Sequence, residues 1–330
     1  MAKLKVKFAG ISMAVPEKIL TNADLEKMVD TSDEWIRTRT GMVERRIVDK
    51  DTASSDTAYQ AVKKLLEKVS IKPKDIDMII VGTVTPDHNF PSTACILQKR
   101  LGIHNIPAFD VSAGCTGFIY AMTIAKQFIE NNFAKNVLIV GVETLSKILN
   151  WEDRSTCVLF GDGAGAAIMT QAKRSDLSDI IDAYLAADGR YGDLLRLPAG
   201  GSRYPATEET VNNKLHTVHM EGNKIFKAAV KAMGDAAVTI LRCNGLTSDD
   251  LDWFIPHQAN IRIIEATAKR IKLPKSKVIV NIEKYGNTSA ASIPIAFAEA
   301  VEEGKIRRGD LVLLDAFGAG FTWGSALLRY

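Results

Sequence analysis

The chain has 330 residues, 46% hydrophobic and 25% charged, with a net charge of +3. That balance is ordinary for a soluble globular protein, supports a core without covalent staples, and is too weakly basic to argue for nucleic acid. Four cysteines, Cys95, Cys115, Cys157 and Cys243, stand far apart without a CxxC pair, so neither a metal site nor a disulfide framework is expected and a reducing cytoplasm fits.

Met1 to Gly10 alternates lysines with apolar residues and lacks the apolar segment and cleavage site of a signal peptide. No uninterrupted apolar run is long enough to span a membrane. Leu4 to Ile11 reads as the first strand. Thr21-Asn22-Ala23-Asp24 starts a helix that runs to about Val29. Thr31 to Gly41 is a polar segment carrying Trp35, Arg37 and Arg39. An amphipathic helix over Ser54–Val69 is followed by a buried strand at Met78–Val84, a loop with two prolines to Ser92, and a helix over Thr93–Leu101. Ile106–Val111 is a short strand, Phe118–Ile129 a helix, and Asn136–Val142 another buried strand. Buried strands alternating with helices predict an α/β fold whose sheet is mostly parallel and covered on both faces.

Cys115 falls where the strand ending at Val111 turns into the helix beginning at Phe118. Gly114 and Gly117 let that turn be sharp and leave the sulfur approachable. The partial positive charge of a helix start favours thiolate over thiol, which makes Cys115 a candidate nucleophile. A small buried core cysteine is the other reading.

The chain also repeats itself. Asp75-Ile76-Asp77 opens a strand in the first half and Asp250-Leu251-Asp252 one in the second. Each strand leads to a helix ending in a basic-apolar step, Lys99-Arg100-Leu101 or Lys269-Arg270-Ile271. A small-residue turn follows, at Cys115 or at Asn287-Thr288-Ser289, and an apolar strand closes each unit at 137–140 or 311–314. The offset is near 174–175 residues. Two halves are therefore expected, 1–175 with the cysteine and 176–330 with the matching turn, joined through the polar stretch 171–178. Equivalent turns of a duplicated fold meet near its pseudo-axis, at the strand ends where open α/β sheets bind ligands. This groups Cys115 with His257, in Pro256-His257-Gln258-Ala259-Asn260, and with Asn287. Asp188–His219, rich in glycine and polar residues, reads as an insertion covering the site.

Ala113-Gly114-Cys115-Thr116-Gly117, Pro256-His257-Gln258-Ala259-Asn260, Gly286-Asn287-Thr288-Ser289 and Phe317-Gly318-Ala319-Gly320-Phe321 together resemble the thiolase-fold condensing enzymes, and specifically the beta-ketoacyl-acyl carrier protein synthase III family. The resemblance runs from the first strand to Tyr330. It implies an internally duplicated, thiolase-like α/β/α/β/α architecture with mixed, mostly parallel sheets. It also implies an acyltransferase that initiates fatty-acid synthesis. Cys115 would take a short acyl group, acetyl above all, from acyl-coenzyme A. Decarboxylative condensation with malonyl-acyl carrier protein would follow, with His257 and Asn287 donating hydrogen bonds to the developing enolate. The backbone N–H groups of Cys115 and Ala319 would hold the oxyanion. Many relatives have glycine where Ala319 stands, which matters only if that position needs positive φ. His257 is expected to act as a neutral donor, with a pH–rate profile falling away below the ordinary imidazole pKa.

The resemblance further implies that Trp35 and Arg154 sandwich the adenine of coenzyme A, with Thr31 and Arg39 alongside and Asn260 on the pantetheine arm. Lys227 and Arg262 would receive the acidic carrier protein, and Lys224, Lys227 and Lys231 share a helix face. Phe90 would close the acyl pocket of a neighbouring subunit, which implies a homodimer. No cofactor, metal, nucleic acid or membrane is expected.

Gly161-Asp162-Gly163-Ala164-Gly165-Ala166 fits a dinucleotide-binding fingerprint, but Ala167-Ile168-Met169 continues as strand instead of the required helix. A papain-like protease also uses Cys, His and Asn, and His257 lies 142 residues after Cys115. The Ala-Gly-Cys-Thr-Gly context and the duplication do not match that family. An acyl-binding protein without catalysis is disfavoured by the intact Cys, His and Asn. The nearest alternative is a paralogous condensing enzyme of secondary metabolism making a polyketide or ketone starter.

Overall fold

The apolar runs at 78–82 and 137–144 are buried along their whole length, so their sheet must be covered on both faces. The computed structural model describes residues 4–173 and 175–330; Met1–Lys3 of the alternating N-terminal stretch and Arg174 of the polar joint lie outside the described residues. In the first half β1 (Lys5–Ala14), β2 (Met78–Gly82), β3 (Ala108–Val111), β4 (Asn136–Thr144) and β5 (Asp162–Ala172) form one sheet in the order β1-β5-β4-β2-β3. In the second, β6 (Asp179–Ala187), β7 (Trp253–Pro256), β8 (Leu311–Gly318) and β9 (Thr322–Arg329) form a sheet in the order β7-β8-β9-β6.

The longer helices are α1 (Asp33–Thr40), α2 (Ser54–Lys68), α3 (Thr93–Arg100), α4 (Gly117–Glu130), α5 (Gly222–Cys243), α6 (Ile261–Arg270) and α7 (Ser292–Glu302). α4 and α7 are apolar almost all round and pack between the sheets, in one core with Phe8, Ile80, Ile139, Leu314 and Leu328. α2 covers the outer face of the first sheet, and α5 and α6 that of the second. The layering is α/β/α/β/α, as expected.

Both sheets are mixed. The pairs β2/β4, β2/β3 and β7/β8 are parallel. The returning strands β5 and β9 make every pair on the other flank antiparallel. The parallel share is thus smaller than a sequence of alternating helices and strands suggests, because no helix separates β8 from β9.

The repeat is chemical as well as topological. Asp77 accepts the backbone N–H groups of Lys135 and Asn136, and Asp252 accepts that of Leu311, so each aspartate fixes the start of the neighbouring strand. Val278 bridges Phe254 in parallel where β3 flanks β2. The basic-apolar helix ends lie 170 residues apart instead of 174–175, because the loop between β2 and α3 is longer than that between β7 and α6. Thr21 and Asp24 cap each other as expected, yet their helix stops at Leu25, short of Val29. The polar segment after it is largely α1, capped by Ser32 and closed by Gly41 in the left-handed region.

At Gly82 the end of β2 lies directly on the start of α4: a Cβ there would come within 2.6 Å of the Gly117 carbonyl carbon. Gly82→Ala is therefore expected to destabilise the protein by about 1–3 kcal/mol through overpacking. Gly201→Ala, with no atom within 4 Å of the added carbon, is the neutral control. Thermal unfolding of the two variants side by side checks this.

Candidate active site

Two matching turns build the site. Ala113 leads into a 3-10 turn, Gly114–Thr116, that runs straight into α4; Thr288 leads into another, Ser289–Ala291, that runs into α7. Each opens on a residue with positive φ, Gly114 at +55° and Ser289 at +46°. The two turns and helix starts press together, so that a Cβ on Gly117 would lie 3.2 Å from that of Ala290.

The Asn287–Ser292 segment touches all three candidate residues. The Ser289 hydroxyl shares a cavity with the Cys115 sulfur and acts to lower the thiol's pKa. The Ser289 N–H donates to Asn287 Oδ1 at 2.9 Å, which leaves the Asn287 NH2 to donate elsewhere. The Ser292 hydroxyl meets His257 Nδ1 at 2.5 Å and accepts the Gln258 N–H at 3.3 Å. Among the described residues the Ser292 hydroxyl hydrogen has no acceptor other than Nδ1, so it goes there, and the neutral imidazole is assigned its proton on Nε2. Burial pushes the imidazole pKa down to about 3. Asn287 is pinned from the first half, its N–H on the Leu159 carbonyl and its carbonyl on the Gly161 N–H.

The thiol differs from expectation. Burial pushes the Cys115 pKa up to about 12, and the Glu143 charge adds to the rise, against the lowering from Ser289 and from its own backbone N–H. The helix start does not outweigh desolvation here, so the resting side chain is a thiol, not a thiolate.

Glu143 carries no motif and was not among the candidate residues. It ends the apolar run of β4, wholly buried, and a carboxylate at the close of such a run is the signal that marks it. It accepts hydrogen bonds from Thr83 Oγ1, the Val84 N–H, Thr85 Oγ1 and Ser289 Oγ. Burial still raises its pKa to about 7.

Cys115, Ser289 and Ala319 open on a cavity of about 160 Å3 whose other walls include Val84, Leu145, Ile148, Phe160, Leu195 and Val218. Leu195 and Val218 come from the 188–219 stretch, which therefore covers the cavity as expected. Ala319 lies against Gly114, and it is not among the residues with positive φ. A larger cleft of about 580 Å3, lined by Lys18, Lys50, Lys147 and Trp151, contains none of the three candidate residues.

The outer candidates form a second group. The Arg154 guanidinium lies 5.2 Å from the centre of the Trp35 ring and donates to the Asp30 carbonyl. A planar base between them would need about 7 Å, two contact distances, so none fits between the two side chains as they stand. The Thr31 hydroxyl is buried without a hydrogen-bond partner. Asn260 caps α6 and ties it to the Arg39 carbonyl. Lys227 is exposed on α5, and the Arg262 guanidinium lies 5.0 Å from the centre of the Phe226 ring. Phe90 is 85% exposed, and the single chain does not bring it to the cavity at Cys115. Among the described residues no cluster of three or more His, Cys, Asp or Glu is placed to hold a metal, and no helix is long and apolar enough to cross a membrane.

Residues 109–189 match the family described as 3-Oxoacyl-[acyl-carrier-protein (ACP)] synthase III, and residues 241–330 match its C-terminal family. Beta-ketoacyl-[acyl-carrier-protein] synthase III of Caldanaerobacter subterraneus is 57% identical over 99% of this chain and 98% of its own. The crystal structure of 3-oxoacyl-[acyl-carrier-protein] synthase III from Aquifex aeolicus superposes with a TM-score of 0.90 at 48% identity, covering 98% of this chain and all of that one. The priming beta-ketosynthase of the R1128 polyketide pathway is more distant, at 32% identity and a TM-score of 0.90 over 99% of this chain and 97% of its own. By sequence along nearly its whole length and by fold, the chain belongs to the beta-ketoacyl-[acyl-carrier-protein] synthase III family of condensing acyltransferases.

Proposed function

We propose that Cys115, His257 and Asn287 are the working residues of a synthase that primes fatty-acid synthesis. The observation that carries this is the Asn287–Ser292 segment, which holds two buried neutral hydrogen-bond donors and packs its turn against that of Cys115. Cys115 attacks the thioester of a short acyl-coenzyme A, acetyl by preference. The N–H groups of Cys115 and Ala319 hold the oxyanion, and coenzyme A leaves. Malonyl-acyl carrier protein then enters. Loss of CO2 puts charge on the thioester oxygen, and His257 Nε2–H and the Asn287 amide donate to it. The enolate carbon attacks the acyl-Cys115 carbonyl, releasing 3-oxoacyl-acyl carrier protein and the thiol. Neutral donors suit this step, because an imidazolium would also hold the malonyl carboxylate that must leave.

In this reading Trp35 and Arg154 open to take the adenine, with Thr31, Arg39 and Asn260 along the coenzyme. Lys227 and Arg262 form part of a basic rim for the carrier protein. Phe90, exposed on the single chain, closes the acyl pocket of a partner subunit in a homodimer, and the enzyme works in the cytoplasm without a resident cofactor.

Mass spectrometry of purified protein given acyl-coenzyme A primers and malonyl-acyl carrier protein tests the assignment. Wild type is expected to yield 3-oxoacyl carrier protein, and Cys115→Ser neither to acylate nor to condense. His257→Ala and Asn287→Ala should still acylate but condense about 10²–10³-fold more slowly. If Cys115 is acylated while carrier-bound malonate is ignored, the reading fails in favour of a paralogous synthase, and malonyl-coenzyme A is the next donor to try.

The His257 environment sets a pH expectation that replaces the one drawn from an ordinary imidazole. With its pKa near 3 in the folded state against 6.5 ordinarily, His257 stays a neutral donor through pH 6.5. Its contribution to decarboxylation should therefore be flat from pH 7 to about 4.5, measured as 14CO2 release in a single turnover of enzyme already acylated on Cys115. Below 6.5 the unfolded chain binds a proton that the native one refuses, so this residue's contribution to stability is lost progressively as pH falls from about 6.5 towards 3. His257→Gln should flatten that part of the stability profile.

A further inference from the structure

The proposed mechanism leaves the thiol proton without a receiver. His257 cannot take it: Nδ1 is held by Ser292 Oγ and Nε2 already bears a hydrogen. The half-buried thiol also does not simply lose its proton to solvent, because the sulfur would then become a second anion beside Glu143.

We propose that Glu143 is the receiver, and that the Ser289 hydroxyl relays the proton from Cys115 to it. Ser289 opens on the same cavity as Cys115, in the turn packed against the cysteine's own, and its Oγ donates to Glu143 Oε1 at 3.1 Å. When Cys115 attacks, S–H gives its proton to Ser289 Oγ as Ser289 Oγ–H gives its own to Glu143. The S–C bond forms and the coenzyme A thiolate leaves, taking a proton from solvent. When the condensation step expels the Cys115 thiolate, the same relay runs backwards, restoring S–H and the Glu143 carboxylate. The carboxylate and the sulfur together thus carry at most one negative charge, none in the acyl-enzyme, and never two. The assignment rests on Cys115 being the nucleophile.

Three features support the relay. All groups hydrogen-bonded to Glu143 are donors, so the carboxylate is the form the site receives at rest. Turning one hydroxyl makes room for a proton, and a pKa near 7 lets the group change state at working pH. Among the described residues, the titratable side chain that its charge acts on is Cys115. The loop after β2 presents hydroxyls and an amide and the Ser289 turn a hydroxyl, while on β5 Gly163 lies opposite and Asp162 turns to Ser146 and Val48. Finally, Ser289 occupies a left-handed φ where its counterpart in the first half is glycine. A side chain kept there costs backbone strain, and it places a hydroxyl between thiol and carboxylate.

Ser289→Gly removes the hydroxyl while relieving the strain, which makes it the informative variant; Glu143→Gln is its partner. The readouts are single-turnover acylation by acetyl-coenzyme A and alkylation by iodoacetamide. Both are followed on the Cys115 peptide by mass spectrometry from pH 5.5 to 9.5, since Cys243 is also exposed. For wild type both rates should rise through about pH 7. Both variants should be slower by about 10²-fold at pH 7.5, with the rise displaced to higher pH. Folded Ser289→Gly whose alkylation rate and pH profile match wild type overturns the relay, whether or not Glu143→Gln folds. Alkylation needs no acyl substrate, so a protein that ignores acetyl-coenzyme A but shows the relay's pH profile would contradict the proposed function and leave the relay standing.

Discussion

A six-residue stretch, Asn287–Ser292, has to place polar groups in the middle of the protein, and that requirement organises everything around it. Buried hydroxyls and amides are costly unless each finds a partner. Here the partners are groups proposed to work in the reaction: the His257 imidazole, the Asn287 carboxamide and the Glu143 carboxylate. The hydrogen bonds that satisfy the segment are therefore the ones that orient the chemistry. Ser292 decides which imidazole nitrogen carries the proton, and Ser289 fixes the Asn287 amide through its backbone and meets Glu143 through its side chain. A rigid frame on both sides makes this possible. The sheets and the apolar helices α4 and α7 pack without slack, as the approach of Gly82 to Gly117 illustrates.

Duplication explains why the two turns can be so similar in shape and so different in content. Each begins with positive φ and feeds a helix that packs between the sheets. One places a cysteine at its second position and the other an alanine, Ala290, small enough to let the helix starts meet. Asp77 and Asp252 repeat the same strand-fixing bonds in both halves. The symmetric parts build the frame, and the site arises where the symmetry is broken.

Much of this was legible in the sequence, and the failures have physical causes. Cys115, His257 and Asn287 could be grouped because glycine-rich turns and a repeat near 174–175 residues are local or periodic signals. The layering followed from apolar runs of strand and helix length. The protonation states did not, because they depend on burial supplied by residues far away in the chain; the helix-start argument predicts a thiolate at Cys115 and loses to desolvation. Glu143 was missed for a related reason: nothing beside it in sequence shows that Thr83, Thr85 and Ser289 converge on it. α1 was hidden because its sequence is polar and its helix rests on caps at Ser32 and Gly41 more than on an apolar face.

The strand order also governs when the protein becomes reactive during its own synthesis. The first sheet has all its strands by Ala172, since β1 pairs with β5. Cys115 is then already at the head of its helix, but Ser289, Ser292 and the wall at Ala319 have not been made. Contacts this distant in sequence form late and slowly. Until the second half arrives, the proposed nucleophile therefore lacks the groups proposed to orient the chemistry and also α7, which shares the core of its sheet.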